Sequence, residues 1–210
     1  MELFHEIGYP AGIRHTMTLE VTGKVRSTDR RLRIVTNMEL YWDQIFLAPV
    51  QAPAPLQIRW APLTGAALRF LGYPREYSPD GKQPNLYDYS QVDRMLPWKT
   101  MQGAYTRYGD VTPLLHEPDD CYVIMGPGEE ITLHFDADGL PPTAPGYQRS
   151  FILKTDSYCK DMDLYTVYPE TVEPLPYHDM SQYPYGPDEA YPRDEEHQKY
   201  HQEFNTRRIR

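Results

Sequence analysis

Hydrophobic and polar residues alternate with a period of two over much of the first half of the chain. In Thr16-Met17-Thr18-Leu19-Glu20-Val21-Thr22, the residues Met17, Leu19 and Val21 fall on one side and the threonines and Glu20 on the other. That is the pattern of a strand with one buried face. Leu32, Ile34 and Thr36 alternate with Arg31, Arg33 and Val35, and the pattern resumes through Met38–Trp42 and Ile45–Leu47 before the prolines at 49, 53 and 55 end it. Further strands are expected at 56–61, 66–71, 121–125, 130–136 and 149–155. Gly126-Pro127-Gly128-Glu129 stands between two apolar runs and predicts a hairpin over 121–136. Strand–helix alternation is missing, so the expected fold is all-β, an antiparallel, jelly-roll-like β-sandwich.

Two stretches break the pattern. Residues 72–110 are rich in Tyr, Pro, Asp and Gln, with one helical turn expected near Gln91–Leu96. They read as a long irregular insertion, ordered by their aromatic residues. Residues 168–193 carry Pro and Tyr at a density that favours an extended arm. A short helix follows over 194–204, with Asp194 as its N-cap and acidic residues in its first turn. The expected organisation is a sandwich domain over 1–167 with the insertion at 72–110, then an arm and terminal helix over 168–210 that pack on the domain or on a neighbour.

Composition sharpens this picture. The chain has 210 residues with 21 Pro and 18 Tyr against 6 Phe. Proline at that density opposes a helical protein, and tyrosine offers an apolar ring with a polar tip suited to strand faces and interfaces. A net charge of −9 argues against nucleic acid; the basic cluster Arg207, Arg208 and Arg210 is too short for a footprint. No apolar run reaches the length of a membrane span. The first residues (Met1-Glu2-Leu3-Phe4-His5-Glu6) lack the regions of a signal peptide. The chain is therefore expected in the cytoplasm if complete, or outside it as part of something longer. Cys121 and Cys159 read as buried thiols rather than a bridge.

Candidate chemistry is sparse. Trp98 in the insertion, with Tyr87, Tyr89, Tyr105 and Tyr108, makes an aromatic ligand platform, the arrangement that covers a sugar ring; Trp42 and Trp60 are expected in the core. Asp156, Asp161 and Asp163 form a turn-like acidic run that could take Ca²⁺, although the spacing is not that of an EF-hand loop. Tyr183, Tyr185 and Tyr191 mark the arm as a partner-binding segment. His197 and His201 lie four apart on the terminal helix without the adjacent glutamate of a zinc-protease motif, and read as surface histidines. There is no G-x-S-x-G elbow and no glycine-rich phosphate loop, so no catalytic residue is assigned.

Several phrases together resemble a known family. They are Gly8–Gly12, Leu32–Ile45, Arg107-Tyr108-Gly109-Asp110-Val111, Tyr122–Glu130 and Leu175-Pro176-Tyr177-His178. In this order they resemble the C-terminal region of large bacterial proteins with FG-GAP and ASPIC/UnbV segments, often with tetratricopeptide repeats, grouped with cartilage acidic protein. The resemblance implies an exported or cell-surface setting and a binding or scaffolding role, with no catalytic residue to carry over. The chain departs from that pattern at Asp156–Asp163, where the family has a turn containing Gly and Trp. The expected function is a non-catalytic module for protein–protein contact or self-association through the arm. A carbohydrate-binding domain and a metal-dependent hydrolase are its rivals.

Overall fold

The computed structural model describes residues 16–21, 23, 31–35, 40–48, 58–82, 85–95 and 99–210. Two compact units divide the chain: one comprises Met1–Gln57 and Glu76–Tyr87, the other Ile58–Arg75 and Asp88–Arg210. Among the described residues there are seven short strands and one nine-residue helix. Three small antiparallel sheets result, and the β-rich, helix-poor expectation holds at that level. No described helix is long and apolar enough to cross a membrane.

The larger unit is built on β1 (Leu63–Phe70), flanked by β5 (Gly109–Asp110) and β6 (Glu129–Phe135). The β1–β6 register places Ala66 opposite Leu133 and Leu68 opposite Ile131. Alternate residues therefore bring their side chains to one face, where Ala66, Leu68 and Val111 are buried against Leu63, Val123, Ile131 and Leu133. Asp110 fastens the corner after β5: its carboxylate accepts from the Thr112 amide at 2.9 Å, and the Thr112 hydroxyl in turn accepts from the Ala66 amide at 2.8 Å. A 3₁₀ turn over Thr112–Leu115 then buries Leu114. β2 (Tyr73–Tyr77) and β3 (Leu86–Asp93) form the second sheet. Gly72 makes its approach to β3 feasible: at φ +112 a side chain would be strained, and a Cβ would lie 2.5 Å from a Val92 methyl.

The third sheet pairs β4 (Gly103–Tyr105) with β7 (Arg207–Ile209), residues far apart in sequence. Between them the C-terminal segment folds back over β4. The Gln102 amide donates to the Glu170 carbonyl at 2.7 Å and the Val172 amide to the Gln102 carbonyl at 2.8 Å. Gly103, at φ +142, leaves room for this, since a Cβ there would lie 2.4 Å from Glu173 Oε2 and 2.8 Å from Val172 Cβ. Val172, Leu175 and Tyr200 join Tyr105, Leu114 and Cys121 in a second core. The helix α1 (Glu195–Glu203) starts where expected, with the Asp194 carboxylate accepting the His197 amide at 3.1 Å.

Several expectations are corrected. The described residues of 16–48 carry no strand, and Leu32, Ile34, Val35 and Trp42 are exposed; alternation without a neighbouring backbone does not make a sheet. The strand expected at 66–71 is present as part of β1, which begins earlier, at Leu63, whereas residues 58–61, the described part of the strand expected at 56–61, are not in a strand. The 121–136 hairpin does not form: 121–125 is not a strand, and Ile124 exchanges bonds with Thr106 while β6 pairs with β1. The turn itself is present, closed by the Glu129 amide on the Gly126 carbonyl at 3.2 Å. Residues 149–155 are exposed and unpaired. The irregular insertion instead holds β2 to β5, and Gln91–Asp93 end a strand rather than form a helical turn. Trp60, expected in the core, is 78% exposed, and Cys159 is exposed where Cys121 is buried. His197 is buried against Tyr191 rather than lying on the surface.

Candidate functional site

The larger unit carries three polar constellations. The first is a clasp between β6 and β7. Glu129, its side chain 5% exposed, pairs with Arg207 at 2.8 Å. The same carboxylate accepts from the Tyr108 hydroxyl at 2.8 Å and the Gly126 amide at 2.9 Å. The Arg207 guanidinium also donates to the Thr106 carbonyl and lies over the Tyr105 and Tyr108 rings. Every strong donor and acceptor here is matched, so the group closes the fold and has nothing left to offer a ligand.

The second centres on Asp120, a non-glycine residue at φ +66. Its Oδ1 accepts from the His178 amide at 2.9 Å, from the Tyr122 hydroxyl at 2.9 Å, and contacts His178 Nδ1 at 2.6 Å. Its carbonyl takes the Tyr191 hydroxyl. Burial opposes the charged carboxylate, yet the His178 ring, the Tyr122 hydroxyl and the His178 amide together hold its pKa below the usual range. The bond to Asp120 raises the His178 pKa against a smaller opposing effect of burial, and Asp156, 3.4 Å from Nε2, adds to the rise. This is an orienting carboxylate–histidine pair with no nucleophile bonded to it, and it ties three chain segments together.

The third is an open cleft of about 570 Å³ beside α1, walled by Tyr185, Tyr191, Pro174 and Leu175 and edged by Arg193, His201 and Gln202. Tyr191 is fixed by its hydroxyl and by edge contacts with Tyr177 and His197. Tyr185 packs edge-on to Tyr177. Burial, and the neighbouring His197, lower the His201 pKa and favour its neutral form.

The residues singled out from the sequence are scattered over these features. Tyr105 is buried in the core with its hydroxyl on the Met101 carbonyl, and burial pushes its pKa up to about 12. Tyr108 belongs to the clasp. Tyr87 and Tyr89 stand exposed on β3, and Trp98 lies outside the described residues. The aromatic platform is therefore not assembled from its described members. Asp156 faces His178, Asp161 contacts the Cys159 thiol at 3.8 Å, and Asp163 accepts from the Tyr165 and Thr166 amides at 2.7 Å. Among the described residues no three His, Cys, Asp or Glu side chains converge as a metal site. Tyr183 donates to the Pro174 carbonyl within the arm at 2.7 Å, while the Tyr191 hydroxyl and the His178 amide donate to Asp120, so the arm folds onto its own unit.

Sequence reasoning missed His178 and Asp120. His178 stands in the sequence only as one of seven histidines and as the end of the phrase Leu175-Pro176-Tyr177-His178, and its partner lies 58 residues away. It also missed the exposure of residues 140–168. Phe151, Ile152, Leu153, Leu164 and Tyr165 are 77%, 93%, 62%, 98% and 95% exposed. The segment is held to the larger unit by Asp156 on His178, Tyr158 on Tyr183, and Lys160 Nζ on the Thr171 carbonyl at 2.7 Å. Set against family models, curated proteins and solved structures, the chain matches none.

Proposed function

We propose that the chain is a non-catalytic assembly module that makes protein–protein contact through residues 149–155. The carrying observation is an apolar run, Phe151-Ile152-Leu153, that is largely exposed beside a closed core. Contiguous exposed apolar surface marks an interaction site, and a net charge of −9 disfavours anionic lipid and nucleic acid as the partner. The segment 149–155 around this run has strand-like composition and seven residues, the length of β6. Among the described residues β6 has β1 on one side and no strand on the other. An open edge and an unpaired strand of equal length suit strand addition, so the contact is the 149–155 segment of one copy on the β6 edge of another.

The jelly-roll-like sandwich belongs to this proposal as its finer part: 149–155 supplies a further strand once paired. The resemblance to the C-terminal region of FG-GAP and ASPIC/UnbV proteins supports an exported or cell-surface setting within a longer protein. Light scattering across a concentration series tests the reading. The chain is expected to rise from one copy to two, with amides of 149–155 and of β6 gaining protection from hydrogen exchange together. Ile152→Asp should keep it single. A chain that stays single at every concentration, or that pairs with 149–155 still exchanging freely, would sink the proposal.

A further inference from the structure

We infer that the cleft beside α1 binds a neutral carbohydrate ring, through residues distinct from those of the assembly segment. Its volume of about 570 Å³ falls in the range of small-ligand pockets. Its walls are two tyrosines held by other contacts: Tyr191 by the Asp120 carbonyl and by Tyr177, Tyr185 by Tyr177. Such walls are already ordered before a ligand arrives, which lowers the entropic cost of binding.

The polar rim decides the ligand class. At the cleft the Arg193 guanidinium takes part in no hydrogen bond or ion pair, its carbonyl alone being used by Gln198. His201 uses Nδ1 toward Asn205 at 3.2 Å and leaves Nε2 open. The Gln202 amide and the Tyr185 hydroxyl are likewise unengaged among the described residues, and Glu173 presents a carboxylate whose Oε1 accepts the Ala104 amide at 3.2 Å and lies 3.9 Å from the Arg208 guanidinium. Glu173 and Arg193 line the same cleft, so its rim carries a carboxylate that disfavours a bare phosphate and a guanidinium that disfavours a bare cation. Hydroxyl groups both donate and accept, so a polyol satisfies both. Tyrosine rings together with planar hydrogen-bonding side chains in one cleft suit the alternating C–H and O–H surfaces of a pyranose.

Saturation-transfer NMR and titration calorimetry on the full chain test this, with neutral hexoses, N-acetylhexosamines and their disaccharides as probes and inorganic phosphate as the control. At least one sugar is expected to bind, and phosphate not. Arg193→Ala and Gln202→Ala remove exposed rim groups and should each weaken that sugar by roughly tenfold, with circular dichroism unchanged. Ile152→Asp should leave sugar affinity intact, which separates this site from the assembly contact. The inference is overturned if no sugar binds, if phosphate binds more tightly, or if the two rim variants bind as the parent does.

Discussion

Residues 140–168 and 170–209 follow one another in the chain and share a diet of tyrosine, proline and scattered aliphatics, yet they end in opposite environments. The later stretch has no strand or helix periodicity before residue 194, and still buries Val172, Leu175, Tyr177 and Tyr200. The earlier one contains an apolar run of strand-like composition, and leaves Ile152 and Leu164 almost wholly in solvent. What separates them is where their backbone and polar groups find partners. The later stretch meets Gln102, the Asp120 group and Glu129; the earlier one is tied down at three points between 156 and 160. Burial here follows hydrogen-bond closure rather than hydrophobic rhythm.

Breaking the closed side should be costly. Arg207→Ala leaves the Glu129 carboxylate buried without its cation and is expected to destabilise the larger unit by about 3–5 kcal/mol, read as a shift in the denaturant midpoint. Arg207→Lys should recover only part of that, since an ammonium cannot engage both carboxylate oxygens and the Thr106 carbonyl as the guanidinium does. A smaller loss of about 1 kcal/mol is expected for Tyr200→Phe, which keeps the buried ring and removes only the 2.8 Å bond to the Tyr122 carbonyl.

The Asp120–His178 pair should show itself in pH rather than in size. The His178 pKa is raised on folding, so its stabilisation is complete below the ordinary value of about 6.5 and is lost as pH rises through the raised one. The Asp120 pKa is lowered, so its share is present above the ordinary carboxylate value and is lost as pH falls through the lowered one. Melting temperature against pH should therefore decline as pH rises from about 6.5 in the parent, and His178→Ala should flatten that limb. An unchanged limb would mean that His178 titrates without regard to folding. The least effect belongs to the open side: Ile152→Asp should alter the stability of the single chain by no more than about 0.5 kcal/mol, and a larger loss would show that the run packs within its own unit.

How far the sequence foretold this depends on the range of the interactions. Helix α1 was legible because its signals are local: Asp194 caps an amide three residues on, and the acidic first turn lies beside it. Strand β6 was legible from its alternation and from the turn before it. Its partner was not, because Gly126-Pro127-Gly128 suits a hairpin equally well, and only the third dimension shows that Thr106 has taken the place opposite Ile124. Tyr105 read as a ligand residue for the same reason. Nothing beside it in the chain announces that Leu114, Cys121 and Val172 will enclose it. The Glu129–Arg207 and Asp120–His178 pairs span 78 and 58 residues, beyond any spacing rule.

The pairing of β4 with β7 has a consequence for biosynthesis. Arg207 meets Thr106 at a sequence separation of 101. Closing a loop of that length adds little to the entropic cost over a shorter one, but it sets the order of events. A ribosome delivers residues N-terminal first, so Tyr105, Cys121 and Leu114 emerge well before Tyr200 and Ile209 arrive to cover them. During translation those side chains must be sheltered by transient contacts or by a chaperone, and the second core can settle only after synthesis has passed residue 209.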